Sequence, residues 1–181
     1  GDGSAKLCFL SGPEAYMAFN GHPHYWERPQ NISALFGFCP TQYSIIVKSA
    51  GIKKLEDLAG KRIAINSDKT VTGDLFQYLL ELNGINSRNS AIFRVREPIG
   101  ESMFFRGDVD AIWYGMGQGH SVFKDYLSYK TNMIPFRLIS CGQENRLREF
   151  LTVYPVFYTE PLRVDDNISS ESSLTSFSCL A

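Results

Sequence analysis

Residues 48–67, KSAGIKKLEDLAGKRIAINS, decide the fold class of this chain. The stretch reads as the end of a strand, a turn at Gly51, a short amphipathic helix, a break at Gly60 and a new strand. Ile52, Leu55 and Leu58 fall on one side of that helix, and Lys53, Lys54, Glu56 and Asp57 are left for water. Lys61–Asn66 is the first strand of an alternating series.

Downstream the alternation continues. Arg62–Ile65 is a short apolar strand, and Thr72–Asn83 a helix with Leu75, Phe76, Leu79, Leu80 and Leu82 near one face. Thr72 is its expected N-cap, Asp74 lies in its first turn, and Gly84 suits the position just past its end. Ala91–Val95 is the next strand, Ile99–Phe105 a helix stopped by Gly107, and Val109–Tyr114 a strand with Asp110 near its start. Gln118–Tyr129 reads as a helix buried through Val122, Phe123, Tyr126 and Leu127, and Phe136–Ile139 closes the series. Strands alternating with helices predict a mainly parallel sheet covered on its faces and joined by right-handed crossovers. In such sheets ligands bind outside the carboxyl ends of the strands. That marks the loops Ser67–Thr72, Arg96–Ile99 and Gly115–Gly119.

The flanks are less regular. Pro13–Asn20 reads as a helix ending at Gly21, and His22–Gln30 as a loop. Ile32–Phe38 and Tyr43–Val47 read as extended segments broken at Pro40. Gln143–Phe150 is a polar-faced helix and Val153–Tyr158 an extended aromatic run. The tail, Ile168–Ala181, holds six serines between Ser169 and Ser178 and reads as disordered or poorly ordered.

Apolar residues make up 44% of the 181-residue chain and charged residues 20%, which is ordinary for a globular protein. A net charge of −1 gives no expectation of a nucleic-acid or anionic-membrane partner. No run of about 18 apolar residues marks a membrane-spanning helix. The opening GDGSAKLCFL shows no signal-peptide pattern. Cys8, Cys39, Cys141 and Cys179 form no CxxC and read as isolated buried thiols rather than zinc ligands.

Four segments occur in fixed order: PEAYMAFNG at 13–21, ISALFGFCPTQYSIIVKSAGIKKLEDLAGKRIAINS at 32–67, LLELNGI at 79–85 and GDVDAIWYG at 107–115. Together they resemble the TAXI family of extracytoplasmic solute receptors of tripartite (TRAP-type) transporters, within the type II periplasmic binding proteins. The resemblance covers roughly residues 5–160. It implies an α/β fold of that type, with one complete lobe on a mixed, mostly parallel sheet and a remnant of the other. Residues 1–42 would be the remnant of the first lobe, 43–48 a hinge strand and 49–142 the second lobe. Residues 143–160 would return toward the hinge, and 161–181 would be a poorly ordered tail. The start of the first lobe and a signal peptide are expected upstream, which implies a periplasmic or extracytoplasmic location. The function implied is capture of a small carboxylated solute, an amino acid such as glutamate or a dicarboxylate, by lobe closure. Delivery to TRAP-type membrane permease subunits would follow. The receptor would be a monomer and not an enzyme, with no cofactor, metal or nucleic acid. The alternatives are a thiamine-pyrimidine-synthase-like enzyme on the same fold and the effector-binding domain of a transcription regulator.

The expected ligand contacts are Ser11, Gln42, Tyr43, Ser67, Lys69, Thr70, Thr72, Tyr114 and Gln118. Ser67–Thr72 precedes a helix N-terminus, whose N–H groups and dipole suit a carboxylate. The family usually has Gly-Ser-Gly-Thr there; Lys69-Thr70-Val71-Thr72 keeps hydroxyls, loses both glycines and adds a charge. Thr72 is otherwise only a cap. Ser11 donates to a ligand or merely precedes a helix that Pro13 starts. Tyr114 is an aromatic wall beside Gly115 and Gln118, or core beside Ile112 and Trp113. Gln42 and Tyr43, in the hinge, face either cleft or solvent.

His22 and His24 read as a solvated loop, since no third ligand is near in sequence. Arg94 and Arg96 have the bidentate geometry that carboxylates prefer and read as surface ion-pair partners, with Glu97 beside Arg96 to neutralise it. Asp108 and Asp110 read as a turn and a strand start rather than a catalytic pair. No phosphate loop, HExxH or GxSxG is present.

Overall fold

A computed structural model describes residues 7–21, 28–37, 41–48, 51–66, 70–117, 137–163 and 173–179. The elements are α1 (Gly12–Asn20), β1 (Thr41–Val47), β2 (Arg62–Asn66), α2 (Val71–Leu82), β3 (Ala91–Val95) and α3 (Glu97–Arg106). They continue as β4 (Ala111–Gly117), β5 (Arg137–Ile139), α4 (Glu144–Val153), β6 (Phe157–Arg163) and β7 (Ser173–Cys179). The strands form one mixed sheet in the order β3-β2-β4-β1-β7-β6, with β5 also paired to β1. β2 pairs parallel with β3 and with β4. β1 runs antiparallel to β4, and its other edge is shared by β5 at Ile45–Val47 and β7 at Thr41–Tyr43.

Period-two alternation gives the sheet two apolar faces. Tyr43, Ile45 and Val47, Ile63 and Ile65, and Ala111 and Trp113 pack with Leu75, Phe76 and Leu79 of α2, Met17 of α1 and Leu147 and Phe150 of α4. The intervening residues Ile46, Ala64 and Ile112 pack with Leu138 and with Phe104 of α3. The two crossovers explain this division. β2 leads through α2 to its neighbour β3; β3 leads back through α3, past β2, to β4. Right-handed crossovers running in opposite directions put their helices on opposite faces.

Several boundaries differ from the sequence reading. The expected helix after Gly51 is only a four-residue 3-10 turn, Leu55–Leu58. The Asp57 carboxylate accepts from the backbone N–H of Lys53 at 2.9 Å and of Lys54 at 3.1 Å, which closes the turn within one revolution. Those bonds hold Asp57 below the usual carboxylate range. Thr70, not Thr72, is the N-cap of α2: its Oγ1 accepts from Gly73 N at 3.2 Å, and Val71 is buried as the first helical residue. α3 starts at Glu97 because Pro98 fits a first turn, so the loop expected at Arg96–Ile99 is mostly helix. β4 runs on to Gly117, through most of the loop expected at Gly115–Gly119. α4 extends to Val153, and the strand after it begins at Phe157. Residues 31–37 form no strand, and Leu35 and Phe36 are strongly exposed. Cys8 is exposed, not buried; Cys141 is buried as expected.

The tail is the largest correction. Ser173–Cys179 is a strand, hydrogen-bonded to β6 on one side and to β1 on the other. Serine content argued for disorder, but the ladder is made by backbone groups, which serine supplies as well as any residue. β6 lies at the sheet's edge, where Pro161 is tolerated. The expected helix Gln118–Tyr129, and His22, His24 and Cys39, lie outside the described residues.

The contact most sensitive to a single atom is at Gly115, which faces Tyr43 across the β1–β4 ladder. A Cβ there would lie 2.6 Å from Tyr43 Cε1, and the Tyr43 ring is buried and cannot retreat. Gly115→Ala is expected to lower stability by about 1–3 kcal/mol, the usual cost of overpacking. Urea unfolding followed by circular dichroism measures it, and an unchanged midpoint would show that the ring yields freely.

Candidate functional site

The parallel strands β2, β3 and β4 end on the same side of the sheet, and α2 and α3 begin there on opposite faces. The order reverses between β2 and β4, the place where open α/β sheets hold ligands. β2 is bonded to β3 at five residue pairs but to β4 only at Ile63–Ala111 and Ala64–Ile112. Beyond Ile112 the two strands part, while β4 stays bonded to β1 as far as Gly117. A shallow depression, open to solvent, occupies this parting. Ala64, Ile112 and Gly100 line its floor, and Glu97, Glu101 and Tyr114 its polar rim. Gly100 lets α3 sit close: a Cβ there would be 3.4 Å from Val95 Cγ2 and 3.6 Å from Ala64 Cβ.

The rim is acidic. Glu97 is raised above the usual carboxylate range, first by burial and then by Glu101, one helical turn away. Burial also raises Tyr114, whose hydroxyl donates to Glu101. Tyr114 packs partly against the α3-side core, so it is both wall and core.

On the other face the first turn of α2 carries Thr70 and Thr72. Thr72 and Phe76 are four residues apart and share a helix face. Phe76 stacks on Trp113 with ring centroids 4.2 Å apart and planes at 17°. Trp113 stacks in turn on Tyr43 at 5.3 Å and 13°, and Tyr43 meets Phe157 edge-on at 5.9 Å. The indole is 5% exposed, and its Nε1 is buried and has no hydrogen-bond partner among the described residues.

Placed on this geometry, the expected contacts divide. Thr70 and Thr72 lie past the carboxyl end of β2, and Tyr114, in the middle of β4, lines the depression. Tyr43 faces neither cleft nor solvent; it is 4% exposed and lies in the core. Gln42, next along β1, is half-buried. Ser11 is used by its own helix in a reciprocal cap: Glu14 N donates to its Oγ at 3.4 Å, and that Oγ donates to Glu14 Oε2 at 2.9 Å. Ser67, Lys69 and Gln118 lie outside the described residues. Sequence reasoning missed Glu97 and Glu101 as rim residues. Their four-residue spacing across a first-turn proline, Pro98, was the available signal.

The other charged groups are structural. Asp110 accepts from Arg62 N at 3.0 Å and from its guanidinium at 2.7 and 3.1 Å, which holds the carboxyl below its usual range. That cluster lies at the amino ends of β2 and β4, away from the depression. Arg94 pairs with Asp74 and Gln77 of α2, the surface pairing expected of it. Among the described residues no group of three His, Cys, Asp or Glu is placed to hold a metal.

A family model matches residues 1–161. The chain belongs to the NMT1-like family. No curated protein matches it. Among solved structures, the family member is similar to the periplasmic sulfonate-binding protein SsuA of Methylobacillus flagellatus KT, at 21% identity over 55% of this chain and 29% of that one, with a TM-score of 0.41. It is similar to the alkanesulfonate-binding protein SsuA of Xanthomonas axonopodis pv. citri, bound to MOPS, at 21% identity over 60% and 37%, TM-score 0.41. It is also similar to ArtJ, the arginine-, lysine-, histidine-binding protein of Geobacillus stearothermophilus, at 21% identity over 57% and 41%, TM-score 0.40. The chain spans less than half the length of each.

Two outcomes follow for the site. A carboxyl raised in the folded state adds stability while protonated, below about pH 4.5, and loses it as pH rises through the folded value. Glu97→Gln is therefore expected to raise the melting temperature at pH 7 and leave it unchanged at pH 4; a loss at pH 7 would mean that the charge is compensated. Thr70→Ala removes the cap of α2 and is expected to cost about 1 kcal/mol, or roughly 2–4 °C in melting temperature. Differential scanning calorimetry checks both.

Proposed function

We propose that this NMT1-like chain is the solute-binding lobe of an extracytoplasmic receptor of the TRAP type, in the TAXI branch that its ordered motifs resemble. It captures a small carboxylated solute without covalent chemistry. The observation that carries this reading is the crevice between β2 and β4, with opposite chemistry on its two sides. On one side the first turn of α2 offers hydroxyls and a dipole suited to a carboxylate. On the other, Glu97 and Glu101 repel a carboxylate and suit an ammonium or hydroxyl group. An amino acid meets both demands, and a dicarboxylate meets only the first. Ser67, Lys69 and Gln118, beside these sides in sequence, are proposed as further contacts, with Gln42 at the hinge.

Capture works by population shift: a solute that bridges two lobes binds the closed form better than the open one. A micromolar affinity requires about −8 kcal/mol, which several charge-assisted bonds in a dry cleft supply. The closed receptor then docks on its membrane permease. Isothermal titration of the chain with L-glutamate, L-arginine, succinate and taurine tests the reading. Saturable heat with an amino acid, weakened at least tenfold by Thr72→Val, is the expected result. Absence of heat with all four would overturn the assigned solute class.

A further inference from the structure

We propose that Asn20 is a site of spontaneous main-chain modification, where asparagine converts to aspartate and isoaspartate through a cyclic imide. The chain contains two Asn-Gly pairs, Asn20-Gly21 and Asn83-Gly84, each at the end of a helix and each with its glycine at φ 76°. In such a pair the main-chain nitrogen of glycine is the nucleophile, and the absent side chain leaves its approach to the carboxamide open. That nitrogen gives its proton to hydroxide and bonds to Cγ of asparagine. The Cγ–Nδ2 bond breaks, and ammonia leaves with a proton taken from water. Water then opens the five-membered imide at either carbonyl. One product is aspartate on the original main chain; the other is isoaspartate, whose main chain runs through the side chain. The sum is asparagine plus water giving the acid plus ammonia, with nothing oxidised or reduced.

The fold separates the two pairs by their glycine nitrogens. Gly84 N donates to Glu81 O at 2.9 Å, and the next amide, Ile85 N, to Leu80 O at 2.9 Å, so the second nucleophile is held in the closing turn of α2. Gly21 N meets no acceptor among the described residues. Side-chain bonding does not distinguish the pairs: Asn20 Nδ2 donates to Tyr16 O and Asn83 Nδ2 to Leu79 O, both at 2.8 Å. Exposure does, since Asn20 is exposed and Asn83 half-buried. Conversion at Asn20 also has a structural consequence. Gln30 N donates to Ala18 O at 2.8 Å, and a Cβ on Gly21 would lie 2.8 Å from Pro29 N, so residues 28–30 are packed closely on the end of α1. Isoaspartate adds a methylene to the main chain at this tight contact. Either product sets a carboxylate at the negative end of a helix whose last turn holds no basic residue. Modification therefore loosens residues 28–30 from α1.

The test incubates the full chain at pH 8 and 37 °C. Peptide mapping by mass spectrometry locates the converted residue, and labelling by an isoaspartate methyltransferase identifies the rearranged product. Conversion at residue 20 is expected to run about tenfold faster than at residue 83, where it waits on local opening of the turn. In concentrated urea the two are expected to convert at similar rates, because the difference belongs to the fold. Equal rates at the two residues in the folded chain overturn the inference. So does a difference that persists unchanged in urea, or a folded chain that stays unconverted at residue 20 while the unfolded chain converts. Asn20→Gln, a change at an exposed position that lengthens the side chain past the five-membered ring, is the control for the consequence. After the same incubation, hydrogen exchange at the Gln30 amide is expected to be faster in the chain with Asn20 than in Asn20→Gln. Equal exchange, with isoaspartate present at residue 20, overturns the loosening of residues 28–30.

Discussion

The stack Phe76–Trp113–Tyr43 is the contact on which the rest of this structure depends. It joins three elements that the chain brings together from distant positions: α2, the central strand β4 and the antiparallel strand β1. Aromatic pairs in offset or stacked arrangement contribute about 0.5–1.5 kcal/mol beyond the area they bury. Their larger effect is geometric. With Trp113 fixed between two rings, the end of β4 is held to β1 and to the first turns of α2, and not to β2. The crevice between β2 and β4 follows from that choice of partners.

β1 has a second consequence. One edge is bonded to β4 along its whole length, and the other is divided between β5 and β7. Segments far apart in sequence thus converge on seven residues. Any rotation of β1 is transmitted to the carboxyl end of β4, where Tyr114 and the acidic rim lie.

Much of this was legible in the sequence, and particular residues show why. The alternation from Arg62 to Tyr114 carries clear helical and strand periods, so element order and the two-faced sheet follow from it. The useful end of the sheet follows too, because parallel strands end where their helices begin. Tyr43 was misread: expected to face cleft or solvent, it stands in register with Ile45 and Val47, a period-two pattern that marks core. Other features depend on contacts that no local pattern encodes. Thr70 and Thr72 are equivalent as caps until the burial of Val71 selects the first. The Ser173–Cys179 strand is dictated by the open edges of β1 and β6, against its own composition. Glu97 and Glu101 acquire a role only because α3 crosses behind β2 and sets them at the parting of the strands.

The proposed solute lies at the carboxyl ends of β2 and β4, between an α2 terminus suited to a carboxylate and a rim that refuses one. Amide chemical-shift mapping of the chain with L-glutamate tests that placement most directly. Shifts concentrated at Thr70–Gly73, Glu97–Glu101 and Trp113–Gly115 are expected. Shifts concentrated instead at the amino ends of the strands, around Lys48, Arg62 and Asp110, would contradict it.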